Sequence, residues 1–160
     1  MPKTIIQFTD FIETVGDSHV EFVNNLNNFL LENNCTTEIK EAANGYVVSY
    51  KHKPSKRVVL NYVFRKMGLM LRIYADNISS YPEALKDLPV AMKDAIKKAG
   101  PCKRMLNPED CNSRCPLGYE FDLEGELQQK CRYGLMFYLT DETKPYLEKI
   151  VKAEIEARHS

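Results

Sequence analysis

The sequence predicts an α+β fold of two layers: an antiparallel β-meander and a late β-hairpin, with helices packed on one face and a cysteine-rich loop between. Three observations predict it. Apolar residues recur at helical spacing near both ends of the chain, and between about 36 and 75 they alternate around tight turns. Four of the five cysteines fall between Cys102 and Cys131. At 160 residues the chain has the size of one domain, residues 1–160, and can bury a core without disulfides.

Each element follows from local pattern. Ile5, Phe8, Ile12 and Val15 lie at helical spacing, and Gly16 can end that short helix. Ser18-His19-Val20-Glu21 reads as a capping box, with Asp17 beside it to suit the positive helix end. Phe22, Val23, Leu26, Phe29 and Leu30 then give an amphipathic helix to about Glu32. Its polar face holds Asn24, Asn25, Asn27 and Asn28, mediocre helix formers, so packing must hold it.

The period then changes to two. Residues 36–42 lead into Asn44-Gly45, a type I′ hairpin signal, and 46–51 return as a strand. Residues 57–65 alternate through Val58, Leu60, Tyr62 and Phe64, Lys66-Met67-Gly68 turns, and 69–75 form the fourth strand. Pro82 and Pro89 start two short helical pieces, 82–87 and 89–99, and Gly100-Pro101 stops the second. Met92, Ile96 and Ala99 supply its buried stripe. After the cysteine loop (101–118), strands over 119–123 and 130–139 flank a turn at Glu124-Gly125, a hairpin within 119–139. Thr140 or Asp141 caps a last helix carrying Tyr146, Leu147, Ile150, Val151 and Ile155 on one side. Helices on one face of an antiparallel sheet make the two-layer solution. The order of elements alone is similar to that of the small bacterial frataxin-like iron-chaperone domains; no motif is shared, and no residue role follows.

Lysine plus arginine equals aspartate plus glutamate at 22 each, which disfavours nucleic acid as a partner, since phosphate neutralisation supplies much of such affinity. No apolar stretch approaches the roughly 20 residues that span a bilayer, and the first residues lack a signal-peptide pattern. The expectation is a cytoplasmic protein with reduced thiols.

The cysteines run Cys102, eight residues, Cys111, three residues, Cys115, fifteen residues, Cys131. Four thiolates make a closed tetrahedral zinc site, and Cys111-x3-Cys115 has the spacing of a ligand pair from one loop. The intervening segment is polar and has little to fold around, which is where a metal helps. The paired C-x2-C knuckles of a zinc ribbon are missing, and the spacing matches no common iron–sulfur pattern. Arg114, Lys130 and Arg132 could instead lower a thiol pKa, making Cys115 or Cys131 the thiol of an enzyme or redox protein. Small buried residues without a ligand are the plain alternative, and Cys35 reads as a core or surface thiol.

The remaining residues carry weaker signals. His19, His52 and His159 form no ligand motif and read as solvated, and no phosphate loop, nucleophile elbow or H-E-x-x-H is present. Arg72 and Tyr74 on one strand with Tyr62 on its neighbour could line a pocket for an anionic or planar ligand; the plain alternative is a half-exposed sheet face. Lys51, His52, Lys53, Lys56 and Arg57 read as a solvated loop. The composite expectation is a binding module for a small molecule or protein partner. A structural zinc on Cys102, Cys111, Cys115 and Cys131 would stabilise it, with Arg72, Tyr74 and Tyr62 as ligand contacts.

Overall fold

The computed structural model describes residues 6–107, 109, 118–132 and 135–159. Helices α1 (Phe8–Ile12) and α2 (Asp17–Glu32) precede strands β1 (Cys35–Ala42), β2 (Gly45–His52), β3 (Arg57–Arg65) and β4 (Gly68–Ile73). A 3-10 turn (Ile78–Ser80) and three short helices follow, α3 (Glu83–Lys86), α4 (Val90–Lys98) and α5 (Lys103–Leu106). Strands β5 (Tyr119–Leu123) and β6 (Glu126–Lys130) form a separate hairpin, β7 (Met136–Tyr138) comes next, and α6 (Lys144–Arg158) ends the described chain. The main sheet is antiparallel throughout, in the order β1-β2-β3-β4-β7. The two-layer α+β expectation holds, and the meander has the strands the alternation predicts.

One face of the sheet carries the core. Tyr50, Leu60, Tyr62 and Leu71 are fully buried there. Phe11 of α1 packs its ring 5.5 Å from that of Tyr62, and Tyr50 donates its hydroxyl to Asn27 Oδ1 of α2 at 2.7 Å. Leu147, Ile150, Val151 and Ile155 form the buried stripe of α6, and Lys152 lies over the Phe29 ring of α2. Each such apolar side chain contributes about 1.5–3 kcal/mol on leaving water. That total is what holds an asparagine-rich helix such as α2.

Several local expectations are corrected. The strand expected over 130–139 is two. Lys130 ends β6 opposite Tyr119, whereas Phe137 pairs with Leu71 at the edge of the main sheet, so the hairpin partner of β5 is Glu126–Lys130. Ser18 does not cap α2, whose N-cap is Gly16 at φ +85°; the capping box sits on α1, between Gln7 and Asp10. Ala42 pairs with Gly45, which makes Ala43-Asn44 the loop. Asn44 is not among the positive-φ residues, so the turn is not type I′. Gly45 takes φ +130° instead and is pressed under Phe64, whose Cδ2 lies 2.8 Å from where a Cβ would stand. Thr143 rather than Thr140 or Asp141 is the N-cap of α6, and its hydroxyl donates to Tyr138 O at 2.8 Å.

Candidate functional site

The base of the cysteine segment is held by backbone. Pro101 and Lys130 form an antiparallel bridge, Cys102 N–H donates to Gln129 O and Cys131 N–H donates to Gly100 O, both at 2.9 Å. Residues one step beyond a bridged pair share a face, so Cys102 and Cys131 lie on the same side of this ladder. Gly118 N–H donates to Cys102 Sγ at 3.3 Å. A Cβ on Gly118 would stand 2.1 Å from Lys130 O and 3.0 Å from Cys102 Cβ, so only glycine fits where the three segments meet. Lys130 Nζ donates to Lys97 O and Ala99 O, closing the carbonyl end of α4. Cys111 and Cys115 lie outside the described residues. Among the described residues no three of His, Cys, Asp and Glu are grouped to hold a metal ion. Cys35 is buried elsewhere, opposite His52 at the start of β1, and burial pushes its thiol up to about 11.

Cys131 leads directly into a buried charged network. Arg132 stacks on the Tyr74 ring at 5.5 Å and donates to Asp76 Oδ1 at 3.3 Å. Asp76 Oδ2 accepts from Arg57 Nη1 at 3.3 Å and Arg158 Nη2 at 3.2 Å, so three guanidinium groups share one carboxylate. Arg158 also donates from Nη1 to Arg57 O, and from Nη2 to Val58 O and Tyr74 O, stitching α6 across the ends of β3 and β4. Its Nε meets Glu154 Oε2 at 2.8 Å. Glu154 is fully buried and accepts three further bonds, from Asn77 N–H (3.0 Å), Asn77 Nδ2 (2.9 Å) and Tyr81 OH (2.6 Å). Both carboxylate oxygens are thereby saturated, the condition under which a buried charge is tolerated. Burial and then Glu154 push the Tyr81 hydroxyl well above the usual phenol range, so it stays a donor.

Both His52 and His159 depart from the solvated reading. His52 is fully buried at the end of β2, and its Nε2 lies 3.0 Å from His159 Nε2, at the C-cap of α6. Its Nδ1 lies 2.8 Å from Ser55 Oγ. Burial first, then Arg158 and His159, lower its pKa against the opposing pull of Glu154, so the imidazole is neutral at pH 7. The basic run around it divides accordingly: Lys51, Lys53 and Lys56 are exposed, His52 turns inward, and Arg57 engages Asp76.

The three ligand candidates do not share a face. Tyr62 pairs with Leu71, Asn61 pairs with Arg72, and Asn61 Nδ2 donates to Tyr74 OH at 3.0 Å. Arg72 and Tyr74 therefore lie on the sheet face opposite to Tyr62, which is buried in the core with no partner for its hydroxyl among the described residues. Tyr74 is itself buried under Arg132, and Arg72 donates to Met136 Sδ at 3.4 Å. Met136 lines a groove of about 420 Å³ between β7 and α4, with Met70, Ala91, Met92, Ala95 and Tyr138.

Glu154 and Arg158 carried a signal that periodicity could have exposed: they continue the stripe of Leu147, Ile150, Val151 and Ile155, so both face the core. Asp76 and Arg132 sit in loops and offered none. No family model matches the chain, and no curated protein or solved structure matches it either. Among the described residues no helix is long and apolar enough to cross a membrane.

Proposed function

We propose that this chain is a binding module for a small molecule or protein partner, in which a structural zinc held by Cys102, Cys111, Cys115 and Cys131 fastens the segment 101–131 to the rest of the fold. The observation that carries the metal reading is the meeting of Cys102, Gly118 and Cys131 at one bridge, with a backbone N–H directed at the Cys102 sulfur. An N–H donor stabilises a thiolate over a thiol, the form a zinc ligand takes. Three residues of chain, about 10 Å at full extension, join Gly118 to Cys115, so a third thiolate is within reach. With four protein ligands the ion has no open position, and its role is to hold the segment rather than to react.

The binding half of the reading rests on the groove between β7 and α4. Its volume of about 420 Å³ falls within the roughly 300–1,000 Å³ of small-molecule sites. Its wall is mostly apolar, and the guanidinium of Arg72 meets it at Met136. An apolar molecule bearing an acidic group suits that lining.

Elemental analysis with thiol counting on the native full chain tests the metal. One zinc per chain is expected, with Cys102, Cys111, Cys115 and Cys131 protected from alkylation until a chelator is added. Gly118→Ala should lower the zinc content, because its Cβ displaces the backbone against Lys130. A metal-free chain with one rapidly alkylated cysteine overturns the reading in favour of thiol chemistry. For the groove, an anionic naphthalene sulfonate dye should bind the folded chain and be lost on Ala95→Trp, which fills the space; unchanged dye binding removes the groove as the site.

A further inference from the structure

The groove between β7 and α4 runs along an edge of the main sheet. Ile73 N–H donates to Leu135 O and Leu139 N–H donates to Leu69 O, both at 2.9 Å, so the backbone groups of Leu135, Phe137 and Leu139 face β4. Alternation along an antiparallel ladder then turns those of Met136 and Tyr138 outward. Tyr138 O accepts the Thr143 hydroxyl at 2.8 Å. Met136 N–H, Met136 C=O and Tyr138 N–H have no hydrogen-bond partner among the described residues. The other edge strand, β1, carries Glu38, Lys40 and Glu41, charges that discourage a further strand, whereas β7 carries none.

Charge sets the direction of an added strand. Arg72 stands across from Met136 and reaches its sulfur, while Glu142 rims the groove beyond Tyr138. A peptide antiparallel to β7 enters beside Glu142 and brings its carboxyl end to Arg72. The lining stops at Met136 in that direction and Leu135 is buried, which suits a chain that ends there. A terminal carboxylate at that point can accept Met136 N–H and meet the Arg72 guanidinium, both charge-assisted contacts. Residues directly opposed in a ladder share a face, so the penultimate residue falls across from Phe137, on the core side. There Ala91, Met92 and Ala95 of α4 offer it an apolar wall.

We infer that the β7–α4 groove takes the carboxyl terminus of a partner protein as an added antiparallel strand, with an apolar penultimate residue against α4 and the terminal carboxylate at Arg72. This rests on the groove reading above and names its occupant. The probe is a fluorescein-labelled hexapeptide with lysine first, leucine next to last and a free carboxyl end. Fluorescence polarisation reads its binding to the full chain. Amidation of that end should weaken binding about tenfold, through loss of the charge-assisted contacts. N-methylation of the last peptide bond should abolish binding, because that N–H donates to Met136 O. Met136→Pro removes an outward N–H and no ladder bond, and should weaken binding by a similar factor; Met136→Val keeps the N–H and should not. No binding of the free acid overturns the inference, as does equal binding of the amidated or the N-methylated peptide. Those peptide comparisons use the wild-type chain and hold even where Met136→Pro fails to fold. If the peptide fails while the naphthalene sulfonate binds and is lost on Ala95→Trp, this inference alone falls; if both fail, the groove reading falls with it.

Discussion

Glu154→Gln is the sharpest perturbation of this fold, because it changes one atom of a carboxylate that receives four hydrogen bonds in a fully buried setting. Each oxygen accepts two donors, so the new amide NH2 meets donors in either orientation. Placed at the Oε2 position it faces Arg158 Nε, which cannot become an acceptor. Placed at Oε1 it faces Tyr81, whose hydroxyl can rotate to accept, and Asn77 N–H, which cannot. The second orientation is the less costly and still leaves one buried amide unpaired, at about 1–3 kcal/mol. Losing the charge assistance to Arg158 adds on the order of 1 kcal/mol. The expected destabilisation is about 3 kcal/mol, a large part of the roughly 5–15 kcal/mol that holds a domain. It should lower Tm by about 6–12 °C for a chain of this length. Urea unfolding with an unchanged slope measures it, and Glu148→Gln is the control. Glu148 pairs with Lys152 at 2.8 Å on the half-exposed side of the same helix, so its loss should stay within about 0.5 kcal/mol. A Glu154→Gln loss below about 1 kcal/mol would refute the saturated-carboxylate argument.

Tyr62→Phe should stabilise the chain by up to about 1–2 kcal/mol, because it removes a buried hydroxyl with no partner among the described residues and keeps the ring against Phe11; a loss of stability in urea unfolding would mean the hydroxyl is satisfied. Folding stability should also fall as pH drops below about 6.5, where the unfolded chain takes up a proton that buried His52 resists. The sign follows from a folded pKa below the unfolded one: the contribution is complete above the unfolded value and is lost as pH falls through the folded value. Arg158 and His159 oppose that proton and Glu154 favours it. His19, also lowered by burial and by Lys144, acts in the same direction. The difference between wild type and His52→Asn across pH 7.5 to 5 therefore isolates His52, and parallel curves for the two chains would count against it.

Local pattern made the meander legible because its strands alternate cleanly and its turns are short. The bounds of β3 and β5 follow from the sequence without adjustment. The polar run Glu126–Lys130 carries little strand signal whereas 135–139 is apolar, so the sequence drew one strand over 130–139, and pairing partners far apart in sequence decided the break. His52 sits among lysines, so composition called for solvent; it continues the buried alternation of Val48 and Tyr50 along β2, and the end of α6 arrives beside it. Arg72 and Tyr74 were correctly paired on one strand face, but Tyr62 belongs to the opposite face because Asn61, not Tyr62, stands across from Arg72. For the cysteines, the sequence supplied spacing, while the close approach of Gly118 to Lys130 is a tertiary fact no spacing contains.

The return of the chain to the edge of β4 has a consequence for how the molecule opens. Ile73 N–H donates to Leu135 O at 2.9 Å, so the residues that leave the sheet and those that re-enter it are bonded to each other. Everything between them is an excursion whose two ends are pinned at one point. Such a segment can loosen as a unit while the sheet stays paired, since its closure entropy depends only weakly on its length. Hydrogen exchange should then resolve two tiers: slow amides in β2–β4, and a faster cooperative group in β5 and β6. One tie of that faster group to the slow one is Arg132 on Asp76, which Arg57 of β3 also holds.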